Sequence, residues 1–249
     1  MPLTRQDAGM CFGDDALPPH PPSPGEVSAA GDLLLTSADG TAFAAFSATP
    51  AGATDRGIVI LPDVRGLHGF FKALTRHFAE AGLHTVAMDW FGRTAGTAER
   101  DDTFDWKEHT RLVEPDRVDE DVRACMDHLR AQGATQLFTV GFCMGGANSW
   151  RQSAGNPDLA GCIGFYGVPS RVDDVLDDMQ VPILVLAAGQ DFTPVADVDA
   201  FVERVPVDAE LHVYPDAPHS FFDRGFAEHR EACEDAWRRM LGFVDRLAQ

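Results

Sequence analysis

The stretch QLFTVGFCMGGANSW, residues 136–150, runs from a short apolar segment into a cluster of small residues, with one cysteine at the junction. Leu137, Phe138 and Val140, with Thr139 between them, read as a buried strand, and Gly145, Gly146 and Ala147 open a helix. Cys143 therefore falls on the turn. Gly141 and Gly145 flank it and remove the Cβ atoms that would collide where a strand turns sharply into a helix. This is the spacing of a nucleophile elbow, with a thiol where a hydroxyl is usual.

Working outward, the same alternation of strand and helix recurs. GIVILP from Gly57 is a buried strand, His68 to Ala81 has helical spacing through Phe71, Leu74 and Phe78, and His84 to Met88 is another strand. Residues 89–115 form a long polar connection before a helix over about Val118 to Leu129. Strands near Cys162 to Tyr166, Pro182 to Ala187 and Glu210 to Tyr214 follow, with helices at Val195 to Val205 and Phe226 to Leu247. Upstream, Leu33 to Thr36 and Ala42 to Ser47 read as a hairpin across Ala38-Asp39-Gly40. The expected fold class is α/β: a mainly parallel central sheet with helices on both faces and no large separate cap domain. Residues 1–30, with Pro18, Pro19, Pro21, Pro22 and Pro24 close together, are expected to be a flexible arm, and residues 31–249 a single domain.

Composition narrows the function. With 20 basic against 39 acidic residues, the net charge of −19 repels nucleic acid and anionic lipid, and no apolar stretch is long enough to span a bilayer. The five cysteines are odd in number and show no C-x-x-C spacing. A cytoplasmic protein, monomer or homodimer, acting on a small molecule is the expectation. An anionic substrate would need a local basic pocket against the global field.

A cysteine nucleophile needs a base, an acid to orient that base, and donors for an oxyanion. Asp191 in AAGQD and His219 in PDAPHSF each follow a late strand, giving the order nucleophile, acid, histidine found in α/β-hydrolases. Asp197 or Asp199 could serve as the acid and His212 or His229 as the base, but these lie inside predicted elements. The oxyanion donors would be the N–H of Met144, which follows the nucleophile, and that of Val64 in the loop after GIVILP. A thiolate is readily expelled from its own acyl-enzyme, so esters and lactones with stabilised leaving groups suit it better than amides.

Taken together, GFCMGG around Cys143, GQD at Asp191, PHSF at His219, LPDVRGL, and DWFGRTAGT after Met88 resemble the dienelactone hydrolase family, cysteine hydrolases of the α/β-hydrolase fold. The resemblance covers about residues 30–247. It implies opening of cyclic enol-lactones through an acyl-enzyme on Cys143, with His219 and Asp191 as its partners and no metal or organic cofactor. It also implies an acid just before the second oxyanion donor that holds the resting thiol. Asp63 stands there, where the family pattern has Glu. Two arginines that bind a substrate carboxylate would correspond to Arg93, in DWFGR, and Arg224, five residues after His219. Arg65 is a third candidate. A guanidinium presents planar paired donors to a carboxylate, which explains arginine at such positions. The favoured activity is hydrolysis of a small carboxylate-bearing enol-lactone such as dienelactone (carboxymethylenebutenolide). The alternatives are a broader carboxylester or thioester hydrolase, and a non-hydrolytic binding or redox-responsive protein.

Overall fold

The hairpin forms as β1 (Val27–Thr36) against β2 (Ala42–Pro50) in the computed structural model, which describes residues 16–101, 103–223 and 228–248. Its turn is closed by the Thr41 N–H donating to Asp39 Oδ1 at 2.9 Å, and Gly40 supplies the left-handed backbone at φ 84°. There follow β3 (Arg56–Leu61), α1 (Gly69–Glu80), β4 (His84–Met88), α2 (Gly92–Ala95), α3 (Trp106–Thr110), α4 (Pro115–Ala131) and β5 (Gln136–Phe142). The chain continues through α5 (Met144–Gly155), β6 (Gly161–Phe165), β7 (Ile183–Gln190), α6 (Val195–Arg204), β8 (Ala209–Pro218) and α7 (Arg230–Leu247).

The eight strands form one sheet in the order β1-β2-β4-β3-β5-β6-β7-β8. Only the pairings of β1 with β2 and of β2 with β4 are antiparallel. Side chains alternate between faces along each strand, which is why the central strands are apolar throughout. Ile58 and Ile60 of β3, Phe138 and Val140 of β5, and Leu184 and Leu186 of β7 pack with α1 and α7. Val59, Leu61, Leu137, Ile183 and Val185 pack on the other face with α4, α5 and α6. Each helix contributes one apolar stripe, such as Val118, Val122, Cys125, Met126 and Leu129 of α4.

Two expectations change. Residues 89–115 are not wholly irregular, because α2 and α3 lie within them and Asp89 ties down the part up to Arg100. Fully buried, Asp89 accepts from Leu67 N–H at 3.0 Å and Phe91 N–H at 3.1 Å, and pairs with the buried Arg100 at 2.8 Å. The arm is also not free up to residue 30. β1 begins at Val27, and Pro18, Pro19 and Pro21 are buried. Pro19 O accepts hydrogen bonds from Trp237 Nε1 and His77 Nδ1, both at 3.1 Å, and Gly25 N–H donates to Glu80 O at 2.7 Å. Proline rings that cannot join a ladder can still cover apolar surface, and here they cover α1 and α7. Residues 1–15 of the expected arm lie outside the described residues.

Candidate active site

In an open parallel sheet the loops beyond the carboxyl ends of the strands gather into one crevice. The turn after β5 places Cys143 there. Cys143 adopts φ 57°, ψ −111°, a left-handed backbone that a non-glycine residue holds only at a cost of about 1–3 kcal/mol. The tightness of the turn explains its glycines. A Cβ on Gly141 would collide with the Gly145 carbonyl, and one on Gly145 with the carbonyls of Leu61 and Pro62. Cys143 is partly exposed, whereas Cys125, Cys162 and Cys233 are buried. Burial pushes the thiols of Cys162 and Cys233 up to about 12, which leaves them inert as nucleophiles. Cys11 lies outside the described residues.

His219 follows β8 and Asp191 follows β7, on neighbouring strands. His219 Nδ1 lies 3.0 and 2.9 Å from the two carboxylate oxygens of Asp191, whose side chain is only 3% exposed. With Nδ1 turned to the acid, Nε2 is left for the Cys143 thiol. Burial disfavours the imidazolium, but hydrogen bonds with Asp191 and Cys143 and the charges of both outweigh it. The His219 pKa is pushed up to about 10. Two rings fix the imidazole: Tyr166 at 4.9 Å between centroids, itself at φ 36°, and the exposed Phe192 at 4.6 Å. The alternatives are elsewhere. Asp197 and Asp199 are exposed on α6, His212 faces Glu210 at 3.9 Å, and His229 caps α7.

Met144 is the first residue of α5, so its N–H belongs to the unpaired donors of a helix start and adds the helix dipole at the thiol. Val64, in the loop after β3, packs partly buried against the same apolar cluster as Cys143. Beside it, Asp63 is fully buried; its Oδ1 accepts from Arg65 N–H at 2.9 Å and its carbonyl from Trp90 Nε1 at 2.8 Å.

One residue of this region was not singled out from the sequence. Asp223, four residues after His219, is 2% exposed, and neither carboxyl oxygen has a hydrogen-bond partner. Burial first, then the negative charges of Asp63 and Cys143, hold its carboxyl well above the usual range, against the opposing influence of His219. Only its distance of four from His219 was visible in the sequence, and an aspartate there reads as a turn residue.

Of the two arginines expected to bind a substrate carboxylate, Arg93 does not stand free for it. Arg93 sits on α2, but its guanidinium is consumed by acids of the protein: Nε to Asp39 at 2.9 Å, Nη1 to Asp121 at 2.7 Å, and Nη2 to Ser37 at 2.8 Å and Asp121 at 3.0 Å. It lines a cavity of about 390 Å³ with Trp90, Arg111, Leu112, Glu114 and Arg117, in which Cys143 takes no part. The competing carboxylates explain this correction, since four of the five guanidinium N–H groups already donate to Asp39, Asp121 and Ser37, and the one left cannot make the paired contact a substrate carboxylate would need. Arg65 is 4% exposed, with Nη2 2.8 Å from His68 Nε2. Arg224 lies outside the described residues. The one group of side chains with metal-ligand spacing among the described residues, His20, His77 and Glu80, lies at the other end of the sheet.

The model of the dienelactone hydrolase family matches residues 43–248. The chain belongs to the dienelactone hydrolase family. Family membership makes it a hydrolase acting on ester bonds, with the α/β-hydrolase fold. A proposed carboxymethylenebutenolidase of Saccharolobus solfataricus is 25% identical over 87% of this chain and 98% of its own length. One from Escherichia coli is 28% identical over 74% of each chain. Among solved structures, a dienelactone hydrolase of Klebsiella pneumoniae, so assigned by proposal, superposes with a TM-score of 0.74 at 24% identity, covering 88% of this chain and 99% of that one. A dienelactone hydrolase-like promiscuous phosphotriesterase from metagenomic libraries gives 0.70 at 23% identity, with the same coverage. At these identities the superpositions establish the fold.

Proposed function

We propose that this dienelactone hydrolase family member cleaves a small ester or lactone with a stabilised leaving group through a thioester on Cys143. The observation that carries the proposal is the His219–Asp191 pair at 2.9–3.0 Å, set beside a thiol on a strained turn. Asp191 fixes the tautomer of His219 and stabilises its imidazolium, which favours the thiolate. The thiolate adds to the carbonyl carbon, and the oxyanion is received by the N–H groups of Met144 and Val64. Collapse of this adduct breaks the C–O bond, and the leaving oxygen takes the proton of His219 or departs as a stabilised enolate. A water molecule, losing its proton to His219 or to that enolate, attacks the thioester, and the thiolate is expelled with release of the carboxylic acid. No step needs a cofactor.

Relatives bearing the carboxymethylenebutenolidase name support an enol-lactone, whose ring opening supplies such an enolate. The engagement of Arg93 by Asp39 and Asp121 favours the second reading, a broader carboxylester hydrolase that does not demand a substrate carboxylate. Mass spectrometry after mixing with p-nitrophenyl acetate should show an acetyl adduct on Cys143, and Cys143→Ala should abolish turnover of both this ester and dienelactone. Full activity in Cys143→Ala would overturn the proposal. A preference for dienelactone over its neutral methyl ester would select the lactone reading.

A further inference from the structure

The docked arm meets the last turn of α1, which leads into β4 at the end of the sheet opposite Cys143. Here Pro19 O accepts from both Trp237 Nε1 and His77 Nδ1 at 3.1 Å. A carbonyl oxygen only accepts, so Nδ1 of His77 carries the ring proton and Nε2 keeps the lone pair. Metal-binding imidazoles are oriented in this way, one N–H tied to a carbonyl and the other nitrogen turned to the ion. His77 is 8% exposed, so its ring is already fixed.

Two further donors converge on it. His20 lies with its ring 4.1 Å from that of His77, centroid to centroid. Glu80 Oε2 is buried and makes no hydrogen bond, and it lies 3.7 Å from His20 Nδ1. That separation is too long for a hydrogen bond and close to the distance of about 3.4 Å between two ligands of one tetrahedral ion. One donor atom from each of the three residues lies within 4.8 Å of the other two. The His20 side chain is 70% exposed and free to swing inward over the remaining ångström.

We propose that His20, His77 and Glu80 bind a divalent transition-metal cation of the zinc class, water completing its coordination, and that the ion fastens the arm to α1. Two imidazoles and one carboxylate suit zinc better than calcium or magnesium, which prefer all-oxygen shells. The net charge of −19 raises the local concentration of cations. The site is remote from the ester-cleaving groups and acts on the fold, so it does not rest on the hydrolase mechanism.

The test is titration of metal-stripped full-length protein with Zn²⁺ by calorimetry, together with thermal melts. Because Cys143 and His219 could also take zinc, the same titration is run on Cys143→Ala. One equivalent should bind in both proteins and raise the melting temperature. His20→Ala, a change on an exposed side chain, and Glu80→Gln should each weaken that binding at least tenfold, since loss even of an outer-shell partner costs about 10–100-fold. Co²⁺ should give the visible d–d bands of a four-coordinate site in Cys143→Ala and not in His20→Ala. Unchanged affinity in His20→Ala and Glu80→Gln would overturn the proposal, as would binding that vanishes in Cys143→Ala.

Discussion

Replacing Asp191 by Asn removes the charge that holds His219 protonated while keeping the shape of the site. The His219 pKa stands near 10 against an ordinary 6.5, and its side chain is 19% exposed. That elevation corresponds to about 5 kcal/mol of preference for the imidazolium. Asp191 and Cys143 share it, so about half, or ~2.5 kcal/mol, is assigned to the carboxylate. In Asp191→Asn the alkaline limb of the kcat/KM profile for p-nitrophenyl acetate should move from near pH 10 to about pH 8. At neutral pH, kcat/KM should fall on the order of 100-fold, because the amide also permits the wrong imidazole tautomer. Stability follows the same sign. A histidine with a raised folded-state pKa contributes fully below about pH 6.5 and loses that contribution as pH rises through about 10. The variant should therefore unfold at lower urea than wild type at pH 6, with the gap narrowing towards pH 10. An alkaline limb that does not move would refute the assignment of Asp191.

Arg93→Ala should lower the urea-unfolding free energy by about 3 kcal/mol, since it leaves the Asp121 carboxylate, 3% exposed, without its partner. The rate ratio between charged and neutral esters should not change; a ratio shifted tenfold would restore Arg93 to the substrate. Asp223→Asn should stabilise the protein at pH 7.5 and have little effect at pH 4. An acid with a raised folded-state pKa imposes a penalty that grows as pH rises above its unfolded value, and the amide removes it. Equal urea midpoints for wild type and variant at pH 7.5 would count against a raised Asp223 pKa. Gly145→Ala drives a Cβ into the carbonyls of Leu61 and Pro62 and should yield no soluble folded protein, as judged by circular dichroism and gel filtration.

Much of the site was legible because its constraints leave local marks. The collision that demands Gly141 is with Gly145, four residues on, and although Gly145 is demanded by the distant carbonyls of Leu61 and Pro62, both answers are written in the sequence as glycines on either side of Cys143. Asp191 and His219 were legible from strand order, since each stands where a late strand ends. The fate of Arg93 was not, because the acids that claim it lie 54 and 28 residues away, and only the fold brings Asp39 and Asp121 to α2. Asp223 escaped for a different reason: its exceptional property is the lack of partners, and no motif encodes that. Nor could a proline-rich composition reveal that Pro19 would present its carbonyl to two helices.

That carbonyl has a consequence for the order in which the molecule is made. The hydrogen bond from Trp237 to Pro19 joins residues 218 apart in sequence, so this contact of the arm waits long after His77 and Glu80 of α1 have been made. At about 5–20 residues per second that delay is on the order of 10–40 seconds. During it, the surface of α1 that α7 covers in the finished protein, where Phe78 meets Trp237, is open to whatever else the cell presents. The newborn chain therefore passes through a stage in which its last helix completes the protection of its first.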